Sequence, residues 1–454
     1  MTTYLLEGRE VDIWNEELSY YHSRSIAEYI RENLLRLEEK GIDPFSEIVG
    51  KEKEKELVKN ALLSGSSILF RGRKGYGKTT FAKAIAKLLP EKILAIKGCK
   101  INDDPVNPVC FSCRKKLESG VVELEWVKPR FVRICGDPMM TTRQLIGGIS
   151  LQKIREGYDL DSPEVFTPGR ILKANRGIAY VDELGAIPSA LQTLLHELLE
   201  EKQVTTPEGD IIPMRIDLIF LASTNPANYR GVSDVKEPLL DRMEEIEIGP
   251  PNSVEEEIEI AMRNSNEWLR ESVVMPEWHA KTLSRVVMLA RSGEVRLPDR
   301  IEVEPSCRAT IKVFDHVMAS ALRRKHRAVM ISDYGVNGEK YDFSNVLLGL
   351  RGRMRLEFQA EKFEEVVSVL VNDALEITCS EYFSKMQKEM SRLAVELGKR
   401  GEINVYTDFT DFYEILPGCE CEKVSALEFM LESLARCAEV AERVGDGIYA
   451  YSPG

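Results

Sequence analysis

The feature that most constrains the fold of this chain is a glycine-rich loop between an apolar segment and an amphipathic one. Residues Gly72–Thr79 read GRKGYGKT and match the pattern G-x-x-x-x-G-K-[ST] in full. The preceding SSILF predicts a strand, and the following TTFAKAIAKLL predicts a helix. Glycines let successive backbone N–H groups surround phosphate oxygens, and the positive end of a helix favours the same anion. The segment therefore predicts a phosphate-binding loop; the alternative is a glycine turn that precedes a lysine by chance.

Residues of this loop have separate predicted roles in binding ATP and Mg²⁺. Lys78 brings positive charge to the outer phosphates, and the hydroxyl of Thr79 is a predicted ligand of Mg²⁺. Lys78 is also a predicted catalytic residue, because its charge acts on the phosphate that is transferred. The other predicted nucleotide-binding residues of the loop are Gly72, Gly75, Tyr76, Gly77 and Thr80.

Polar residues also follow two later apolar segments. Ile178–Val181 runs directly into Asp182 and Glu183, which predicts that Asp182 holds Mg²⁺ and that Glu183 polarises the attacking water. Leu218–Ala222 is followed by Ser-Thr-Asn-Pro, and Asn225 is expected to orient that water or to sense the γ-phosphate. In isolation, exposed acids at a strand end and an Asn-Pro turn would be the simpler interpretations. The complete phosphate loop favours the catalytic ones.

The order of segments predicts an α/β protein. Between residues 45 and 250 short apolar runs alternate with amphipathic stretches, which is typical of a parallel sheet between helices. This core carries a cysteine-bearing insert at residues 98–135. Residues 1–44 predict an N-terminal amphipathic helical extension. Residues 251–333 predict a helical region, and residues 334–454 predict a mostly helical C-terminal region of unknown role.

Composition excludes some classes of function. The 454 residues carry a formal net charge of −13, which disfavours a surface built to neutralise nucleic-acid phosphates. No apolar run approaches the roughly 18–20 residues that a membrane span requires. The N-terminal residues lack the order of basic and apolar segments found in a signal peptide. These observations predict a cytoplasmic protein.

With these elements in order, the chain resembles the AAA+ ATPases, and more narrowly the ATPase (I) subunit of magnesium chelatase and the related MoxR group. The resemblance is carried by GRKGYGKTT, by FTPGRILKANRGIAYVDELGAIPSALQTLLHELLEEKQV, by FLASTNP and by EPLLDRMEEIEI. It implies an AAA+ P-loop NTPase core with a helical lid. It also implies that Asn225 is sensor 1, that Arg308 in Ser-Cys-Arg-Ala is sensor 2, and that Arg242 is an arginine finger. The alternative for Arg242 is a surface arginine that pairs with Asp241.

The resemblance has further implications for assembly. An arginine finger reaches the ATP site of a neighbouring copy, so the family implies a ring, usually hexameric. Residues 203–206 and 211–215 resemble a hairpin that precedes sensor 1, and residues 145–173 resemble an insertion before the Asp-Glu strand. Such insertions project into the pore of a ring, where Lys153 and Arg155 would contact a partner; a solvated loop is the alternative.

Four cysteines lie in the insert: Cys99, Cys110, Cys113 and Cys135. The Cys110-x-x-Cys113 spacing lets two thiolates reach one ion, and two further sulfurs would complete a tetrahedral Zn²⁺ site. There is no second C-x-x-C and no nearby histidine, and Cys135 has an alternative interpretation as the end of a buried strand. A structural zinc site, reduced cysteines without metal and redox control therefore all remain open.

Two hypotheses lead for the function. In the first, an ATP-driven ring remodels a metal-chelatase partner, and another subunit performs metal insertion. In the second, a MoxR-type chaperone activates a metalloenzyme or a von Willebrand A-domain protein. The acidic charge disfavours a DNA helicase-like motor. The intact Lys78, Asp182, Glu183 and Arg242 disfavour a scaffold without ATP turnover. The expected partners are copies of this chain and a protein client, not nucleic acid.

Overall fold

A computed structural model describes residues 2–22, 24–159, 165–201, 203–205, 211–213, 215–225, 235–337, 339 and 341–452. The chain divides into two compact units, Met1–Gly249 and Pro250–Gly454. Of the helices described, none combines the length and the apolar character that crossing a membrane would require.

The first unit contains both strands and helices. Its strands are β1 (Thr3–Leu6), β2 (Arg9–Val11), β3 (Ser67–Arg71), β4 (Ile93–Ile96), β5 (Val121–Val127), β6 (Phe131–Cys135), β7 (Gly147–Ile149), β8 (Phe166–Pro168), β9 (Gly177–Asp182), β10 (Gln203–Thr205), β11 (Ile211–Pro213), β12 (Leu218–Thr224) and β13 (Met243–Glu247). Its helices are α1 (Glu16–Tyr20), α2 (Ile26–Glu39), α3 (Glu52–Ser64), α4 (Lys78–Ala86), α5 (Phe111–Glu118), α6 (Thr142–Leu145), α7 (Leu151–Arg155), α8 (Ser189–Glu200) and α9 (Glu237–Leu240).

The second unit is mostly helical. Its helices are α10 (Val254–Asn264), α11 (Glu267–Ser272), α12 (Glu277–Ser292), α13 (Cys307–Arg323), α14 (Ser344–Leu350), α15 (Phe363–Lys385), α16 (Gln387–Arg400), α17 (Val405–Asp408) and α18 (Lys423–Cys437). Its strands are β14 (Ile301–Val303), β15 (Arg355–Leu356), β16 (Glu402–Asn404), β17 (Ala441–Gly445) and β18 (Ile448–Tyr451).

The centre of the first unit is a five-stranded parallel sheet in the order β13-β3-β12-β9-β6. Successive residues of its strands enter opposite hydrophobic cores. In β9, Ile178 and Tyr180 pack with residues of α2, α3 and α4, whereas Ala179 and Val181 pack with residues of α8. A parallel sheet buried on both faces needs such apolar strands. The predicted α/β class with a parallel sheet between helices is therefore confirmed.

A second, four-stranded sheet has the order β2-β1-β5-β4, and we call it the accessory sheet. In it, β1 pairs in parallel with β5, more than a hundred residues away in sequence. Residues 1–44 were expected to form a helical extension, but they contain β1 and β2 as well as α1 and α2. The physical reason is that β1 is paired on both sides, with β2 and with β5, and β5 is a partner that local periodicity does not reveal.

The second unit has one continuous hydrophobic core from α10 to β18. The ring of Trp278 in α12 lies 6.0 Å from that of Phe429 in α18 and 6.4 Å from that of Tyr382 in α15. Residues 251–333 and 334–454, which the sequence suggested as separate regions, thus share a core. The C-terminal part also carries the small sheet β16-β18-β17 beside its helices.

Candidate functional site

The predicted phosphate loop connects β3 to α4. Gly75 and Gly77 have φ angles of 87° and 97°, which residues with a side chain rarely adopt. At Gly72 a Cβ atom would lie 2.2 Å from the carbonyl oxygen of Ile248. These glycines therefore allow the turn and its close approach to the end of β13. Of the other predicted loop residues, Tyr76 is half-buried and Thr80 is exposed on α4.

Lys78 is the first residue of α4 and its side chain is buried. Its Nζ donates hydrogen bonds to the carbonyl oxygens of Gly72 and Arg73 and lies 3.4 Å from Oδ1 of Asn225. Asn225 directly follows β12, which is the neighbour of β3 in the sheet. Parallel strands end at the same edge, so the sheet brings the predicted loop lysine and the predicted sensing amide together.

Thr79 and Asp182 are linked through a tyrosine. The hydroxyls of Thr79 and Tyr180 lie 3.2 Å apart, and Tyr180 donates to Oδ1 of Asp182 over 3.1 Å. Burial raises the pKa of Tyr180 to about 12, so its hydroxyl stays protonated and can donate. A hydroxyl and a carboxylate that converge in this way are the hard oxygen donors that Mg²⁺ prefers, so these residues fit the ion.

Asp182 is held by three side chains. Ser223 donates to Oδ1 over 2.7 Å, and Arg133 forms an ion pair with Oδ2. Burial alone would raise the pKa of Asp182, but hydrogen bonds from Ser223, Arg133 and Tyr180 outweigh it and lower the pKa below its ordinary value. The carboxylate is therefore charged at neutral pH.

Glu183 has an unusual backbone conformation at the end of β9. Its φ and ψ are 63° and 57°, in the left-handed region, and its N–H donates to Oγ of Ser223 over 3.2 Å. Gly136 makes this turn possible, because a Cβ there would lie 2.0 Å from the carbonyl oxygen of Glu183. The carboxylate projects to the surface, where Oε1 lies 2.8 Å from Nζ of Lys74.

Arg242 lies at the opposite end of the sheet from the phosphate loop. It precedes β13, whose Met243 is paired with Ser67 at the start of β3, whereas the loop follows Arg71 at the other end. At about 3.3 Å per strand residue, the two ends are roughly 15 Å apart. The guanidinium is half-exposed, with Nε 3.1 Å from Glu200 and an ion-pair contact to Asp241. This position is compatible with a role in a neighbouring copy and not at the chain's own loop.

Arg308 lies in the first turn of α13, exposed on the second unit. Its role as sensor 2 stays a prediction. Lys153 and Arg155 lie on the short helix α7 between β7 and β8, and the backbones of β10 and β11 form an antiparallel pair. The turn between those two strands lies outside the described residues.

The structure brings three of the four predicted cysteine ligands together. Sulfur atoms of Cys99, Cys110 and Cys113 and a carboxylate oxygen of Asp103 all lie within 4.8 Å of one another. Cys135 is not among them: it is exposed at the end of β6, paired in the sheet with Asp182. Cys135 therefore does not lie with the other three cysteines, and Asp103 lies beside them instead.

Several site residues had no role in the sequence interpretation. Tyr180 was taken as part of an apolar strand, and Arg133 sits on β6, a strand distant in sequence. Ser223, which the structure places in β12, was noted in the segment that follows Leu218–Ala222 but was given no function. One feature of the sequence could have identified these residues as parts of the site. Each lies near the carboxyl end of a parallel strand, where ligand sites form.

Comparison with known proteins agrees with this geometry. Residues 126–243 match the family described as the AAA domain of the dynein-related subfamily, and residues 44–96 match the magnesium chelatase subunit ChlI family. The two matched segments contain the phosphate loop, Asp182 and Glu183.

The curated relatives that this chain matches include magnesium-chelatase subunits. It is 31% identical over 228 residues to a magnesium-chelatase subunit ChlI homolog of Methanocaldococcus jannaschii, matching 49% of this chain and 59% of the relative. It is 27% identical over 230 residues to the magnesium-chelatase 38 kDa subunit of Acidiphilium rubrum, matching 48% and 62%. The chain thus spans about three fifths of the length of these relatives.

Among solved structures, a cryo-EM-based complex of the BchI and BchD subunits of magnesium chelatase is similar to this chain. The identity is 23% and the TM-score is 0.35, with 70% of this chain and 98% of that chain covered.

Proposed function

We propose that this AAA+ chain binds MgATP and hydrolyses it to drive the remodelling of a protein partner. The observation that carries the proposal is the convergence of four side chains at one edge of the sheet. Lys78 meets Asn225, and Thr79 meets Asp182 through Tyr180. A flexible cation, an amide, a hydroxyl and a carboxylate are the groups that phosphoryl transfer to water requires.

The proposed division of labour follows from the positions of the groups. Lys78 and the backbone N–H groups of Gly75–Thr79 hold the phosphates, and α4 adds the positive end of its dipole. Thr79 and Asp182 would hold Mg²⁺, which neutralises charge that develops on the phosphates. Glu183 takes a proton from the attacking water, and the amide of Asn225 orients the γ-phosphate and that water.

The proposed active form is a closed ring, of which six copies is the expected size. Arg242 lies too far from its own loop to stabilise the transferred phosphate, so a neighbouring copy must supply that charge. A head-to-tail interface of this kind closes into a ring. Each active centre is then shared between two copies.

For the client we propose a metal-chelatase partner, because the curated relatives are magnesium-chelatase subunits. There are two other candidates. One is a MoxR-type client with a von Willebrand A-domain, and the other is single-stranded DNA. Each has a distinct outcome. A DNA-independent ATPase rate and capture of a chelatase large subunit support the proposal, whereas capture of a von Willebrand protein, or stimulation by DNA, overturns it.

The test of catalysis is the Glu183→Gln variant beside Glu91→Gln, an exposed residue in the turn before β4. We expect Glu183→Gln to bind ATP normally and to lose about a hundredfold or more in phosphate release. Glu91→Gln should match the parent chain in both assays. Undiminished phosphate release by Glu183→Gln would overturn the role given to that carboxylate. The ATP-loaded variant is also the form to use for capturing the client.

A further inference from the structure

The cysteine cluster lies apart from the nucleotide site, in the loop and helix between β4 and β5. Cys99 follows β4, Cys110 is the N-cap residue of α5, and Cys113 lies in the first turn of that helix. We propose that these three thiolates and the carboxylate of Asp103 bind one Zn²⁺ ion in a closed tetrahedral site, which fixes the accessory sheet to the central sheet. The proposal does not depend on ATP hydrolysis.

The spacing of the sulfurs fits one ion of this size. Zn–S bonds of about 2.3 Å in a tetrahedron put two sulfurs roughly 3.8 Å apart. Sγ of Cys99 and Sγ of Cys110 are 3.9 Å apart, and all four donor atoms lie within 4.8 Å of one another. Thiolate-rich tetrahedral sites select Zn²⁺ over hard cations such as Mg²⁺ and Ca²⁺.

Asp103 is the one proposed ligand that the sequence analysis did not name, and its surroundings say most about whether a metal ion binds here. It is fully buried, and its two oxygens accept hydrogen bonds of 2.8 Å from the N–H groups of Val109 and Cys110. The thiol of Cys110 also hydrogen-bonds to this carboxyl group, so Asp103 contacts the cysteine cluster through a side chain as well as through backbone N–H groups. A buried carboxylate needs a positive partner, and each oxygen keeps a lone pair free for a metal ion.

The same hydrogen bonds set the geometry of the cluster. By holding the N–H of Cys110, Asp103 fixes the point where the loop enters α5. The N–H of Cys113 then turns back to the carbonyl oxygen of Cys110 over 3.2 Å. Asp103 thus orients Cys110 directly, and Cys110 in turn orients Cys113. Because Asp103 is itself a proposed zinc ligand, the site is pre-formed.

The loop that carries Cys99 and Asp103 is also the joint between the two sheets. The carbonyl oxygen of Ile101 accepts from Nδ2 of Asn175 over 3.1 Å, and the Ile101 side chain packs in the core on one face of the central sheet. The neighbouring Asp104 lies 3.8 Å from Arg176, whose guanidinium also donates to the carbonyl oxygen of Leu94 in β4. Asn175 and Arg176 immediately precede β9, the strand that ends at Asp182.

A crosslink is needed at this position because the accessory sheet has little core of its own. Its hydrophobic cluster contains eight buried residues, of which Cys113 is one. Small cores of this kind are commonly stabilised by a metal ion or by disulfides. Zn²⁺ at the joint would hold β4 and α5 together and keep the loop in the shape that docks on β9.

The test measures zinc in the untagged full-length chain, purified under reducing conditions and gel-filtered with a weak chelator. We expect about one zinc ion per chain in the parent, and the same in Cys135→Ser, the matched control. Cys110→Ser and Cys113→Ser should lose the ion, and amide exchange should increase in residues 93–127. A metal-free parent chain, or one with a Cys99–Cys110 disulfide instead, would overturn the proposal.

A second measurement on the parent chain keeps the test independent of whether the variants fold. X-ray absorption at the zinc edge should show three sulfurs at about 2.3 Å and one oxygen at about 2.0 Å. Four sulfurs would overturn the role of Asp103, and loss of zinc in Cys135→Ser would assign the fourth ligand to Cys135.

Discussion

Nζ of Lys74 lies 2.8 Å from Oε1 of Glu183, so the phosphate loop forms an ion pair with the proposed catalytic carboxylate. Both side chains are about half-exposed, and such pairs contribute at most about 1 kcal/mol. In the proposed mechanism this pair opens before Glu183 takes a proton from the attacking water. The loop therefore restrains the base weakly.

The Lys74→Met variant tests this restraint. We expect kcat at saturating ATP to rise by up to about fivefold, because the variant no longer has to break the ion pair before the chemical step. Steady-state phosphate release at several ATP concentrations separates kcat from KM. A fall in kcat of tenfold or more would instead show that Lys74 acts on the nucleotide.

The hydroxyl of Tyr180 joins Thr79 to Asp182, and the Tyr180→Phe variant removes only that hydroxyl. A hydrogen bond contributes about 1 kcal/mol, so we expect about a fivefold rise in the Mg²⁺ concentration that gives half-maximal ATPase activity. Tyr4→Phe, in the accessory sheet, is the control. An unchanged Mg²⁺ dependence in Tyr180→Phe would mean that the link does not position the metal ligands.

Gly136 is a backbone requirement of the Asp182–Glu183 turn. A methyl group there would lie 2.0 Å from the carbonyl oxygen of Glu183 and 3.1 Å from that of Asp182. We expect Gly136→Ala to lower the free energy of unfolding by about 1–3 kcal/mol and to reduce ATPase activity at least tenfold. Gly249→Ala, where no atom lies within 4 Å, should change neither quantity. Normal activity in Gly136→Ala would contradict the strict geometry of this turn.

His279 makes the stability of the second unit depend on pH. It is fully buried, its Nε2 lies 3.1 Å from Oγ of Ser425, and the hydroxyl of Tyr334 lies 2.9 Å from Nδ1. Burial lowers its pKa from 6.5 to about 3. The neutral ring therefore stabilises the fold fully above pH 6.5, and this contribution is lost as pH falls towards 3.

The size of this effect follows from the linkage relation. Between pH 7.5 and pH 5, the free energy of unfolding should fall by about 2 kcal/mol through His279. Urea unfolding at the two pH values, followed by tryptophan fluorescence, measures the change in the parent chain and in His279→Gln. In His279→Gln, the free energy of unfolding should not show this fall of about 2 kcal/mol. Equal pH dependence in both chains would contradict the assignment.

Much of the fold could be predicted because its strands are short apolar runs with distinct ends. β3, β9 and β12 lie within a few residues of their predicted positions, and the carboxyl ends of parallel strands fix where polar groups meet. Lys78 and Thr79 could be named from the pattern of the phosphate loop, and Asp182 and Asn225 from their positions after apolar segments.

What could not be predicted depends on contacts between distant segments. The pairing of β1 with β5 joins segments more than a hundred residues apart, and the ion pair of Asp182 with Arg133 depends on β6 lying beside β9. Asp103 carries no metal-binding pattern, and only the folded loop brings it to Cys110. In the second unit, Trp278 packs on Phe429 and so joins residues 251–333 to residues 334–454. The helical patterns of the sequence had suggested that these were separate regions.

In the proposed ring, each ATP site is completed by Arg242 of a neighbouring copy. The most direct measurement mixes Lys78→Ala with Arg242→Ala by co-expression, each variant being inactive alone. In random rings about a quarter of the interfaces join an intact phosphate loop to an intact Arg242, so we predict that about a quarter of the parent ATPase rate returns. A mixture that stays inactive, or an Arg242→Ala variant that is fully active by itself, would contradict the account.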